Sequence, residues 1–376
     1  MLLLAHGACG GKYRRSGGLY DPASFSAHKN TSLFCRENAD LFLYTDIFYL
    51  YVLIYTARNG KMMRKEIYRI YPGKAFFNMA NTVIENGILR AEIAELGGEI
   101  QSLGRLENGK FIEYFWQGLP EYWSGRSPLL FPIVGRLRGG AYTYGGKTYE
   151  MRCHGFAPRL PHKVTKTGAD SAETVLEESP ESLAQYPFGF RFTQTLTLDG
   201  NTLHIKIKAV AKDELWCAFG GHPGFVLPDD NGNTADFDSL YVRINDKKAP
   251  ERLMFSDTCF VLDKRTPFPL DSEGRFHLTH KLFDDDAVVL CGVKSATLCS
   301  TSTKRSVTVT SPDANWYGFW QTRYSTDAPF LCLEPWQGIP SYDGDDKVFD
   351  ELDRRPGMYH LMPGESAGFA FDITLE

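Results

Sequence analysis

Several signatures are missing from this chain of 376 residues, and each absence removes a class of function. None of the eight cysteines pairs as C-x-x-C, which argues against zinc knuckles and thioredoxin-type redox sites. No Gly-rich phosphate loop or dinucleotide fingerprint occurs, since Gly97-Gly98 and Gly220-Gly221 lack the further glycines and the following helix. Basic residues form no stripe: Lys61 to Lys65 is short and isolated, and the net charge is −5, so nucleic acid is not an expected partner. Long helical periodicity is nearly absent, and no repeat of 20–50 residues stands out. The longest apolar run, Leu41 to Thr56, falls short of the ~20 residues of a membrane span and contains Asp46.

That run belongs to a first segment, residues 1–79, unlike the rest of the chain. Residues 1–40 are rich in Gly, Ser and Asn. Three readings of the run stand side by side: an extra strand or helix, a marginal membrane anchor, or sequence appended to the native protein. Met62-Met63 offers an alternative start. A membrane role is not expected. Several cysteines sit in apolar runs such as Leu331-Cys332-Leu333, as reduced thiols do, which points to a reducing, cytoplasmic compartment.

What is present reads as β-structure. Aromatics reach 14%, with 26 Phe and 19 Tyr, residues that favour strands. From Thr82 onward short strands alternate with turn signals about every ten residues, the spacing of a sandwich or barrel. Thr193–Leu198 and Thr202–Ala209 alternate apolar and polar residues around Asp199-Gly200-Asn201, which predicts a hairpin with one buried face. Ala141–Tyr144 with Lys147–Glu150, and Thr297–Ser302 with Ser306–Thr310, read the same way. A last strand is expected over Ala367–Leu375. Residues 80–376 are expected to form one all-β domain.

Three segments set titratable residues in apolar, glycine-rich surroundings: Arg152–Ala157, Trp216–Phe225 and Phe330–Ile339. Glu334 ends an apolar strand that Pro335 stops. A carboxylate there loses water, which raises its proton affinity and suits it to act as a base near neutral pH. A rim carboxylate paired with an arginine is the plainer alternative. His222 lies between Gly221 and Pro223-Gly224, where backbone or ligand can come close. It and His154 could equally be structural. His277 and His280 have i, i+3 spacing but no metal-site context, and neither metal nor cofactor is expected.

Taken together, Ser127–Leu137, Tyr144–Tyr149, His154–Ala157, Gly220–Phe225 and Leu331–Ile339 resemble, in order, the motifs of the aldose 1-epimerase (galactose mutarotase-like) superfamily. Its LacX-type, hexose-6-phosphate mutarotase-like branch is the nearest likeness. The resemblance covers roughly residues 80–376. It implies a large antiparallel β-supersandwich, with Glu334 as general base and His222 as general acid. It also implies that His154, Arg136, Asp343 and Trp336 contact a sugar or sugar phosphate, in a monomer or homodimer. The sequence departs from the family pattern where Pro158 stands in place of an arginine, with Arg159 next. Tyr342-Asp343 replaces a single carboxylate, and the aspartate of galactose-specific members has no assignable position. Arg126, Arg136, Arg138 and Arg159 are candidates to clamp a phosphate. Two rivals remain: a glycoside hydrolase pairing Glu334 with Asp343, Asp345 or Asp346, and a sugar-binding protein without catalysis.

Overall fold

The computed structural model describes residues 31–35, 39–46, 49–58, 61–70, 77–78, 81–343 and 352–376, with side chains from residue 81 onward. Asp345 and Asp346 therefore lie outside the described residues. The chain divides into two compact units, residues 1–80 and 81–376. In the first, Thr31–Cys35, Ala39–Asp46, Tyr49–Arg58, Lys61–Ile70 and Phe77–Asn78 form an antiparallel sheet in chain order. The apolar run Leu41–Thr56 is divided between two of these strands. No helix among the described residues is long and apolar enough to cross a membrane.

The second unit is built on two large sheets. One has nine strands, in the order Lys163–Thr167, Ser171–Glu177, Phe190–Asp199, Thr202–Ala211, Ser366–Leu375, Ser306–Thr310, Ser295–Ser300, Leu240–Ile244 and Arg275–His277. All its pairings are antiparallel. The expected hairpin at Gly200-Asn201 forms: Leu196 faces Ile205 and Leu198 faces Leu203, all buried, while the intervening threonines are partly exposed. This period-2 alternation is what lets a sheet bury one face and wet the other. The other two expected hairpins and the last strand are also present, within two residues of the expected ends.

The second sheet runs Leu129–Leu130, Gly220–Gly221, Leu331–Trp336, Trp316–Trp320, Val288–Cys291, Glu251–Phe255 and Val261–Pro267, with Gly224–Phe225 also paired to Leu331–Trp336. A four-stranded sheet spans Thr82–Glu85 to Lys110–Glu113. One contiguous apolar core joins all three sheets, including Leu331 and Leu333 from the centre of the second. Each of those leucines is fully enclosed, worth roughly 1.5–3 kcal/mol of burial. The opposite side of this sheet carries a separate cluster with Leu253, Val289 and Trp336. The central strand is thus clamped on both faces, which makes it a rigid base for side chains on its outer side.

His162 illustrates the polar cost of this core. Its Nε2 lies 3.1 Å from the Ala157 carbonyl, and its Nδ1 has no protein partner. Burial pushes its proton affinity down to about 4. A folded value depressed below the unfolded one adds stability above about pH 6.5 that is lost as pH falls toward 4. His162→Gln, which keeps a donor for Ala157 but does not titrate, should remove about 3 kcal/mol of the stability difference between pH 7 and pH 4. Denaturant unfolding of both proteins at the two pH values measures this. Equal losses would refute it.

Candidate active site

The strand Leu331–Trp336 sends alternate residues to opposite sides. Leu331 and Leu333 enter the main core, which leaves Cys332, Glu334 and Trp336 on the other face. Two short pieces pair with this strand in one register: Gly220 faces Trp336 and Gly224 faces Cys332. Carried through the interruption at His222-Pro223, the same register sets His222 directly across from Glu334. Cross-strand partners have Cβ atoms roughly 4.5–5.5 Å apart, within side-chain reach. His222 Nε2 lies 3.2 Å from Glu334 Oε2. The Pro223 carbonyl, accepting from the Leu333 N–H at 3.1 Å, fastens the interruption to the strand.

Glu334 is fully buried, and His222 retains 7% of its surface. Trp336 Nε1 donates to Glu334 Oε2 at 3.1 Å. Glu334 Oε1 and His222 Nδ1 have no hydrogen-bond partner within the protein. Desolvation pushes Glu334 well above the usual carboxylate range, and the nearby Asp286 pushes it further. Desolvation lowers His222 to about 3. Both shifts favour neutral groups, so the pair shares one proton and holds it on the carboxyl.

A cavity of about 340 Å³ opens over this pair. Its lining includes Arg136, His154 and Trp336 from the sequence-based set, together with Pro158 and Arg159. His154 has a positive φ of 66°, and its Nδ1 accepts from the Gly135 N–H at 3.2 Å. That bond fixes the tautomer with Nε2 protonated, a donor. Its ring stands edge-on to His222 at 5.3 Å, and burial holds it well below the ordinary imidazole range, hence neutral. Gly155, at φ 75°, is required next to it: a Cβ there would lie 2.1 Å from the Phe131 carbonyl oxygen.

Asp343 is not brought to the cavity. Its side chain is exposed and its N–H donates to the Val261 carbonyl. The carboxylate that does line the cavity is Asp286, buried, with a positive φ of 80°, and paired to Arg136. Its position in Asp284-Asp285-Asp286 resembles an ordinary charged turn, so the sequence carries no signal that singles it out. Trp123 and Trp320, which wall the cavity, were also missed, because a lone tryptophan in a loop or strand has no distinguishing spacing. Of the four arginine candidates, Arg126 is bound to the Gln101 carbonyl and Gln117, and Arg138 to the Tyr342 carbonyl. Arg159 reaches the Cys153 and Gly155 carbonyls from the cavity wall. Arg136 keeps 41% of its side chain exposed.

His222, Cys332 and Glu334 are the one group of potential metal ligands among the described residues, with ligand atoms within 4.8 Å of one another. Ligands around a tetrahedral zinc stand roughly 3.3–3.8 Å apart. The Cys332 thiol is also packed among Trp116, Ala328 and Phe330, where burial pushes its ionisation well above the usual range. These residues suit proton transfer better than metal binding.

Comparison with known proteins identifies the family and the fold. The family profile described as aldose 1-epimerase matches residues 81–343. Chromosomal LacX of Lactococcus lactis subsp. lactis is 27% identical over 304 residues, spanning 78% of this chain and 98% of LacX. A galactose mutarotase related enzyme from Lactobacillus acidophilus is 32% identical with a TM-score of 0.72, covering 79% of this chain and 97% of its own. A galactose mutarotase-like protein from Lactobacillus casei ATCC 334 is 26% identical with a TM-score of 0.69, covering 79% and 100% respectively. From residue 81 onward the all-β architecture is that of the galactose mutarotase-like fold, and the chain belongs to the aldose 1-epimerase family, with LacX among its relatives.

Proposed function

We propose that this protein interconverts the α and β anomers of an aldose or aldose phosphate by acid–base ring opening and reclosure. The observation that carries the reading is the buried imidazole–carboxyl pair, 3.2 Å apart beneath a cavity of sugar size. At about 340 Å³ the cavity sits at the small end of ligand pockets, which suits a single sugar better than a chain of them. Glu334 takes the proton from the anomeric hydroxyl while His222 delivers one to the ring oxygen. The C1–O5 bond breaks, the carbonyl forms, the C1–C2 bond rotates, and reclosure reverses the transfers. Each positioned group contributes about 10²–10⁴-fold. His154, donating from Nε2, and Arg136 bind sugar hydroxyls, and Trp336 aims the Glu334 carboxylate.

The working form, imidazolium with carboxylate, carries the same single proton as the neutral pair that desolvation favours. Catalysis therefore draws on a minor tautomer, and the sugar hydroxyls that replace water raise its share. This order of proton affinities reverses the usual meaning of the pH limbs. Activity falls at acid pH when His222 takes a second proton while Glu334 keeps its own. It falls at alkaline pH when Glu334 releases the shared proton.

Two outcomes are expected. Glu334→Gln should lower catalysed mutarotation, followed by polarimetry, at least about 100-fold. A carboxyl with a raised folded value contributes stability at low pH that is lost as pH rises through that value. The Gln variant should therefore melt no lower than wild type and show a flatter decline on the alkaline side; a full rate in this variant would sink the assignment. In the wild-type profile, corrected for the spontaneous reaction, the acid limb should lie below 4.5, toward the His222 value of about 3. The alkaline limb should reflect the raised carboxyl. An acid limb near 4.5 with an alkaline limb near 6.5 would show the conventional order and overturn this one.

A further inference from the structure

The imidazole of His222 is stacked on the indole of Trp123, with centroids 4.9 Å apart and planes at 29°. The indole is itself held in place. Phe330 stacks beside it at 5.8 Å and 19°, and Trp116 stacks on Phe330 at 4.5 Å. Trp116 Nε1 donates to the Trp123 carbonyl at 2.8 Å, and the Trp123 N–H donates to the Leu119 carbonyl at 3.0 Å. Trp320 stands edge-on to both rings, 5.4 Å from Trp123 and 5.5 Å from His222.

The charged and titratable groups around His222 offer its cation little help. Glu334 faces it across the ladder at 3.2 Å. His154 stands edge-on at 5.3 Å and is neutral. Arg136 opposes a second positive charge. Asp286 is engaged by Arg136, and Cys332 holds its proton. In the proposed reaction Glu334 loses its negative charge when it accepts the anomeric proton. Up to that transfer the reaction needs His222 as an imidazolium, and the π-face of Trp123 is the favourable partner that does not change as Glu334 gives up its charge. An aromatic face attracts a stacked cation by its quadrupole, and most strongly when the face is an indole kept from water.

We propose that Trp123 is a positioning residue for the acid step: its indole face orients the His222 ring and sustains its protonated form until the proton passes to the ring oxygen. This rests on the acid role of His222 in the reading above. It excludes two other uses of the same ring, a platform for the sugar and simple wall packing.

The test uses the full chain with Trp123→Phe and Trp123→Leu. The Leu variant should lose about 3- to 30-fold in kcat, the span of a cation–aromatic attraction, with KM changed less than about threefold. Its acid limb should move to lower pH, because that limb reports proton uptake by His222. The Phe variant should fall between Leu and wild type in both respects, and it carries the test if the Leu variant does not fold. NMR of histidine-labelled protein should show the His222 ring protons, shifted by the indole, relaxing in the same order. A rise in KM with kcat preserved would make Trp123 a sugar platform and overturn the proposal. An unmoved acid limb with equal losses in Phe and Leu would reduce it to packing and overturn it as well. If the wild-type chain shows no catalysed mutarotation, the proposed activity fails, and a His222 titration by NMR that is unchanged in the variants then overturns the stacking role too.

Discussion

Two side chains that prefer water face each other, buried, across a β-ladder. The antiparallel register around Leu331–Trp336 sets His222 opposite Glu334, and the clamped strand leaves neither residue free to turn away. Much else near the site is arranged around that constraint. The carboxyl keeps a proton because burial penalises its charge, and the imidazole lacks one for the same reason. Trp336 satisfies one carboxyl oxygen, and the second faces no protein donor.

The cavity wall follows from the same logic. His154 is turned by a positive φ and locked in one tautomer by the Gly135 N–H, so it presents a donor without adding charge. Arg136 brings charge, but Asp286 balances it. With Arg159 also in the wall, the lining is polar with a small excess of positive charge beside aromatic walls at Trp123 and Trp320. Such a surface matches a sugar ring, which has hydroxyl edges and C–H faces.

Much of this was legible in the sequence, and for identifiable reasons. Hairpins such as Thr193–Ala209 announce themselves because side-chain period and turn chemistry are local. Glu334 stood out because a carboxylate at the end of an apolar run violates the pattern around it. His222 stood out through its glycines and proline, whose role proved to be interrupting one ladder without losing its register. Asp286 and Trp123 were invisible because their significance is wholly tertiary: an aspartate in an acidic turn and a tryptophan in a loop look ordinary until the fold sets them beside Arg136 and His222. Asp343 went the other way. The family resemblance implied a sugar contact for it, yet the chain bends at Gln337-Gly338 and the Asp343 backbone bonds to Val261 instead.

The interrupted strand Gly220–Phe225 has a mechanical consequence. Both of its halves pair with the strand that carries Glu334, so His222 and Glu334 ride on one hydrogen-bonded ribbon rather than on separate loops. Twisting or breathing of the sandwich displaces them as a unit. For the proposed reaction this means that loops at the rim can reshape to admit different sugars while the spacing of His222 and Glu334 stays the same, so that diversification of substrate is uncoupled from the chemistry.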